Sequence, residues 1–109
     1  LHDALPILAG NSKTVGVSTV QTVTLDASYD YIEVVNLGTG YISFRADGVA
    51  AVLDADNTIA VPAGASRIIE TPSSAVSAVS LIASTGTIKV CVIGSKVHPG
   101  APPVGAWGE

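Results

Sequence analysis

From about Thr19 to Ile93 the chain alternates between short runs of branched side chains and pairs or triplets of turn residues. Seven such runs are read as strands: 20–25, 31–37, 41–46, 58–61, 66–70, 76–83 and 87–93. Asp26-Ala27-Ser28, Gly38-Thr39-Gly40, Asp47-Gly48, Pro62-Ala63-Gly64, Thr71-Pro72-Ser73-Ser74 and Ser84-Thr85-Gly86 punctuate them. Short strands at regular spacing, cut by Gly, Pro and Asx residues, are the pattern of a sandwich or small barrel. The period confirms the state. Ile42, Phe44 and Ala46 fall on one face of the third run, and Tyr41, Ser43 and Arg45 on the other. In the last run Ile88, Val90 and Val92 alternate with Lys89, Cys91 and Ile93. Ile32 with Val34, and Val79 with Leu81, are the expected inward pairs of their runs. Period two is what a pleated strand presents to a core on one side.

A helical alternative fails on composition. Val, Ile and Thr together supply 33 of the 109 residues, whereas Leu supplies 7 and Met none. Branched Cβ atoms lose χ1 freedom against a preceding helical turn and pack well on a pleated surface. The connections are also too short for the crossover helices of a parallel sheet. The expected fold is therefore all-β, an antiparallel sandwich of about seven strands in jelly-roll-like or immunoglobulin-like order. Gly38-Thr39-Gly40 is expected to close a hairpin, and Ser84-Thr85-Gly86 a tight turn.

Three segments are expected along the chain. Residues 1–14 read as a leader outside the fold, 15–94 as the sandwich, and 95–109 as a Pro/Gly-rich arm. His2-Asp3-Ala4-Leu5-Pro6-Ile7 resembles the translated end of a sequencing-library adapter, the alternative being a short native leader, and under either reading residues 1–7 are set aside from fold reasoning. The arm holds Pro99, Pro102 and Pro103 together with the single tryptophan, Trp107. Such a segment makes neither helix nor central strand. Trp107, Pro102 and Pro103 are the expected interface residues, an anchor for a neighbouring subunit.

Charge excludes whole classes of function. Five Lys and Arg stand against nine Asp and Glu, for a net charge of −4, and the cations are scattered. Nucleic-acid binding needs clustered cations to neutralise phosphates, so no nucleic-acid partner is expected. The roughly 18 consecutive apolar residues of a membrane-spanning helix are missing too, so no membrane partner is expected. The lone Cys91 has no partner for a disulfide and no metal-binding spacing.

Catalytic chemistry finds few parts. With His2 set aside, the remaining histidine is His98, in the arm, and no G-x-S-x-G elbow accompanies the many serines. Cys91 lies mid-strand between Val90 and Val92, where a packed thiol is the ordinary reading. Asp26, Asp30, Glu33, Asp47, Asp54, Asp56 and Glu70 are the candidate carboxylates, and most stand at strand ends, where such residues cap turns. No enzyme and no cofactor are expected. Two binding readings stay on the table. Asp54-x-Asp56-Asn57, with Asp47, is the best fragment of a calcium site, though it lacks the Gly and distal Glu of an EF-hand loop. Tyr29, Tyr31 and Tyr41 are the candidate stacking platform of a glycan-binding module, if they share one exposed face.

The order of motifs adds a resemblance. Thr22-Val23-Thr24-Leu25-Asp26 is followed by Tyr31-Ile32-Glu33-Val34-Val35-Asn36, then by a Gly turn and Tyr41-Ile42-Ser43-Phe44-Arg45-Ala46-Asp47-Gly48. An acidic loop ending Asp56-Asn57 leads to Val61-Pro62-Ala63-Gly64, then Val79-Ser80-Leu81-Ile82-Ala83-Ser84 and the run from Thr87 to Gly94. This succession resembles small β-sandwich virion structural proteins of tailed bacteriophages, over about two-thirds of the chain. The resemblance implies a non-enzymatic head-decoration or tail or fibre accessory protein, located in the virion and assembled in the host cytoplasm. Its implied partners are copies of itself and a capsid or tail protein. It brings no catalytic residue, because the motifs are strand-and-turn patterns. The alternative is a glycan-binding sandwich module of a receptor-binding tip or a bacterial surface protein.

Overall fold

The computed structural model describes residues 11–71 and 75–97. Eight strands and no helix make up this part of the chain. They are β1 (Ser12–Val17), β2 (Gln21–Tyr29), β3 (Tyr31–Asn36), β4 (Ile42–Arg45), β5 (Ile59–Val61), β6 (Ser66–Glu70), β7 (Val76–Ala83) and β8 (Ile88–Ser95). Two four-stranded sheets contain them, sheet A in the order β1-β8-β3-β6 and sheet B in the order β2-β7-β4-β5. Every pairing is antiparallel.

The strand numbers reveal how the chain is wound. β1 pairs β8, β2 pairs β7, β3 pairs β6 and β4 pairs β5. One long hairpin of four strands in each arm has been rolled up, and β3–β8 and β4–β7 are the pairs formed by rolling it. That is jelly-roll order, one of the two orders expected. Six of the seven connections consequently pass from one sheet to the other, and only β4 to β5 stays within a sheet.

Several sequence expectations need correction. The link Gly38-Thr39-Gly40 closes no hairpin: β3 lies in sheet A and β4 in sheet B. Ser84-Thr85-Gly86, expected only as a tight turn, bends between β7 in sheet B and β8 in sheet A. Turn chemistry marks where a chain reverses, but not which sheet it joins afterwards. The first two glycines serve a close approach instead. A Cβ on Gly38 would lie 2.6 Å from Ile88 Cγ2, so the link can pass over Ile88 only without a side chain.

The strand count rises from seven to eight because Ser12–Val17 forms β1. Residues 12–14 therefore belong to the fold, and the boundary between leader and domain placed after residue 14 moves forward. Only Val15 and Val17 of β1 face the core, with Lys13 and Thr14 exposed, so its apolar signal was thin. β2 extends through Asp26-Ala27-Ser28 to Tyr29, with a shift of register against β7 between Thr24 and Tyr29. The expected arm begins one residue early, since Ser95 closes β8. Residues 1–10 and 98–109, with the adapter-like string and most of the arm, lie outside the described residues.

The inward faces behave as the alternation predicts. Ile32, Val34, Ile42, Phe44, Val79, Leu81, Val90 and Val92 are completely buried between the sheets. Burying a side chain of this size stabilises a fold by about 1.5–3 kcal/mol. Phe44 is the largest of them and sits in β4, at the middle of sheet B.

Candidate functional site

The outer face of sheet B carries a depression. Thr22 of β2 is level with Ser80 of β7, and Thr24 with Ala78. Against these rows folds the connection between β4 and β5, residues 46–58. Its backbone is fixed from both sides: the Ala51 amide donates to Ser80 Oγ at 2.8 Å, and Tyr41 Oη donates to the Asp54 carboxylate at 2.9–3.0 Å. Thr22, Gly48, Val49, Ala50, Ala78 and Ser80 then enclose a groove of about 260 Å³. Its lining offers hydroxyls and apolar contact. It supplies no carboxylate, imidazole or ammonium group, so it can hold an apolar group but has no acid or base of its own with which to transform one.

The acid loop beside the groove is built as a turn. Asp54 and Asn57 both have positive φ, 59° and 65°, a conformation that Asp and Asn adopt more readily than other residues with a Cβ. The Ala55 amide donates to Val52 O at 3.2 Å, and Thr58 donates through its amide and its hydroxyl to Ala55 O. Asp54 spends both carboxylate oxygens on Tyr41, and that bond raises the Tyr41 phenol above its ordinary value. Asp47, the fourth member of the calcium reading, is engaged elsewhere. It accepts from Arg45 Nε at 3.0 Å, from Arg45 Nη2, and from the Val49 amide at 3.3 Å. The Arg45 guanidinium holds the Asp47 carboxyl below the usual carboxylate range. Among the described residues no three His, Cys, Asp or Glu side chains gather closely enough to hold a metal ion.

The three tyrosines do not form one platform. Tyr29 ends β2 and is 8% exposed, its ring against the backbone of Gly94 in β8. A Cβ on Gly94 would fall 2.3 Å from the ring, which explains glycine there. The Tyr29 hydroxyl donates to Asp26, which raises its pKa, and Lys96 Nζ lies 5.5 Å from the ring centroid. Tyr31 opens β3 opposite Ser95 and Glu70. Tyr41 lies at the other end of the sandwich, where its carbonyl accepts from Ser84. The length of β3 and the link after it separate the last two by roughly 20 Å. A stacking surface would need all three side by side. Alternation could not show this, because Tyr31 opens β3 of sheet A whereas Tyr41 lies in the link just before β4 of sheet B.

Cys91 points outward from the middle of β8, half-buried, level with Thr14 of β1 and Val35 of β3. His98, Pro102, Pro103 and Trp107 lie outside the described residues. The most heavily bonded of the buried polar side chains, Asn36, was not singled out from sequence. It is completely buried at the end of β3, where Nδ2 donates to Gly40 O at 2.8 Å and to Val61 O at 2.9 Å. Its Oδ1 accepts from the Gly38 amide at 2.9 Å. The signal was present in the Asn two residues before a glycine, at an inward-facing position of an otherwise apolar strand. Asn36 fastens the β3–β4 crossing to β5 and plays no evident chemical part.

No protein-family model, curated protein or solved structure matches this chain.

Proposed function

We propose that the chain is a non-enzymatic structural component of a bacteriophage virion, a head-decoration or tail or fibre accessory protein. In this reading it associates with copies of itself and docks on a capsid or tail protein, within a particle assembled in the host cytoplasm. The observation that supports it best is the strand order, β1-β8-β3-β6 over β2-β7-β4-β5. Viral capsid domains use the jelly roll, and lectin domains and cupins use it as well. A fold hosts many functions, so the succession of motifs from Thr22 to Gly94 is a necessary second support. The surface adds a third: Val20, Leu37, Val49, Val52 and Ile68 are large apolar side chains left exposed, which suits a building block covered by neighbours. Glycan binding shares the support of the strand order but has no aromatic platform, since Tyr29 is buried and Tyr41 lies at the opposite end of the sandwich from Tyr31.

The genes flanking the coding sequence test the proposal directly. Capsid, portal or tail genes on the same contig are expected; a cell-wall or secretion neighbourhood overturns it. Sedimentation of the purified chain tests the self-association, with a mass above the 10.9 kDa of one copy expected. A strictly monomeric species across the micromolar range removes that part of the reading.

A further inference from the structure

β6 differs from the other three edge strands. Sheet A ends at β1 and β6, and sheet B at β2 and β5. β2 breaks its register against β7 between Thr24 and Tyr29, β5 is three residues long, and β1 carries Lys13 on its exposed side. Irregular register, short length and lysine are ordinary means by which an edge avoids pairing with another chain. β6 has no Gly, no Pro and an unbroken register with β3, its one strand neighbour among the described residues. All of its residues except Ile69 are exposed.

The phase of the β3–β6 ladder fixes which backbone groups of β6 turn outward. Bonded pairs alternate along an antiparallel ladder. The bonds just beyond this one, Asn36 N–H to Ala65 O and Thr71 N–H to Asp30 O, both at 2.9 Å, set the alternation. Arg67 and Ile69 therefore bond to β3, whereas Ser66, Ile68 and Glu70 turn their N–H and C=O away from it. We propose that two copies of the chain join β6 to β6, antiparallel about a two-fold axis at Ile68, and so continue sheet A into one sheet of eight strands. In that register Ile68 pairs with itself and Ser66 with Glu70 of the second copy, so every outward N–H and C=O of the strand is bonded. A slide of two residues either way bonds only two of the three, and sets Arg67 against Arg67 or Ile68 against Glu70. A slide of one residue turns each side chain to the wrong face. On the outer face the two Ile68 side chains, each 39% exposed in the single copy, cover one another, and the Ser66 hydroxyl meets the Glu70 carboxylate. Arg67, level with Val34 yet exposed, stands opposite Ile69. The inference rests on the proposed self-association, to which it gives a location, and not on the virion role.

Sedimentation of the full chain reads the interface, with the parent expected at about twice the 10.9 kDa of one copy. Ile68→Lys and Ile68→Glu each set two like charges face to face across the axis. Each is expected to sediment as a single copy with the circular dichroism of the sheets kept. Mixed in equal amounts they are expected to restore the doubled mass, because a residue that faces itself is repaired by its opposite charge. Variants that keep the parent's mass overturn the proposal and leave self-association through another surface standing. A mixture that stays single overturns the register and the proposal with it. A parent that is a single copy throughout the micromolar range overturns both the interface and the self-association. Amide hydrogen exchange of the parent decides without a variant, should either substitution unfold the chain. The Ser66, Ile68 and Glu70 amides are expected to exchange about tenfold more slowly where about 90% of chains are paired than in the dilute chain. Equal rates at the two concentrations overturn the proposal.

Discussion

Replacing Asn36 by Ala tests whether one buried amide holds the β3–β4 crossing between the sheets in place. The side chain makes three bonds, and alanine supplies none of them. The bond to Val61 O is buried, and leaving a buried polar group unpaired costs about 1–3 kcal/mol. Those to Gly40 O and from the Gly38 amide are partly accessible, so water recovers some of the loss and each costs about 0.5–1.5 kcal/mol net. A carbonyl tolerates one missing donor better than an amide tolerates a missing acceptor, which places the total near about 3 kcal/mol. Against a typical 5–15 kcal/mol of stability, the variant still folds but melts roughly 12–24 °C lower. Urea unfolding followed by far-ultraviolet circular dichroism measures this, with the midpoint falling and the slope unchanged. Asn36→Asp sharpens the result. At neutral pH its carboxylate faces the two carbonyls that Nδ2 now bonds, so it is expected to be worse than alanine. Those carbonyls and the burial raise its folded pKa. Its stability should therefore be greatest below the unfolded pKa and fall as pH rises through the folded one. A loss below about 1 kcal/mol for Asn36→Ala, or an Asp variant indifferent to pH, would refute the reasoning, since either falls short of the least cost of an unpaired buried group.

Other substitutions follow from the same structure. Phe44→Ala empties the centre of the core and is expected to cost about 3–5 kcal/mol, read from the urea midpoint. Gly94→Ala forces a Cβ into the Tyr29 ring and should cost about 1–3 kcal/mol. Adding Tyr29→Ala should recover part of that loss, so a double-mutant cycle with no coupling would count against the contact. In spectrophotometric titration, Tyr29 and Tyr41 should ionise above the ordinary tyrosine range, and Asp54→Asn should return one of them toward it. Asp47 has a lowered folded pKa, so its contribution is complete above the unfolded carboxylate value and is lost as pH falls through the folded one. Asp47→Asn should flatten that acid limb of the urea midpoint, and raised salt should shrink it in the parent.

What could be read from sequence was local. Alternation placed Phe44, Ile42, Val90 and Val92 in the core, because a pleat fixes which side each residue faces. The same alternation is silent about which strands meet. Gly38 and Gly40 have the composition of a hairpin turn, yet the chain crosses there because Gly38 must pass over Ile88, 50 residues later. β1 was missed for a related reason: its inward face rests on Val15 and Val17, and its register on a strand at the far end of the chain. At the candidate site, the turn-forming role of Asp54 and Asn57 was legible from residue type. The pairing of Asp54 with Tyr41 was not, since it depends on how residues 46–58 fold back over sheet B.

The β1–β8 pairing has a kinetic consequence. Val15 is level with Val90, and sheet A has β8 as one of its two inner strands. During synthesis from the N-terminus, β1 and β3 emerge long before the strand that must lie between them. Until then both keep a strand edge open, and only β4 with β5 can pair with its immediate successor. Pairings so distant in sequence close slowly, on a scale of milliseconds to seconds in sandwiches of this kind. The interval before β8 arrives is thus when this chain is most open to pairing with the wrong partner, and a nascent chain stalled short of Ile88 has no way to end it.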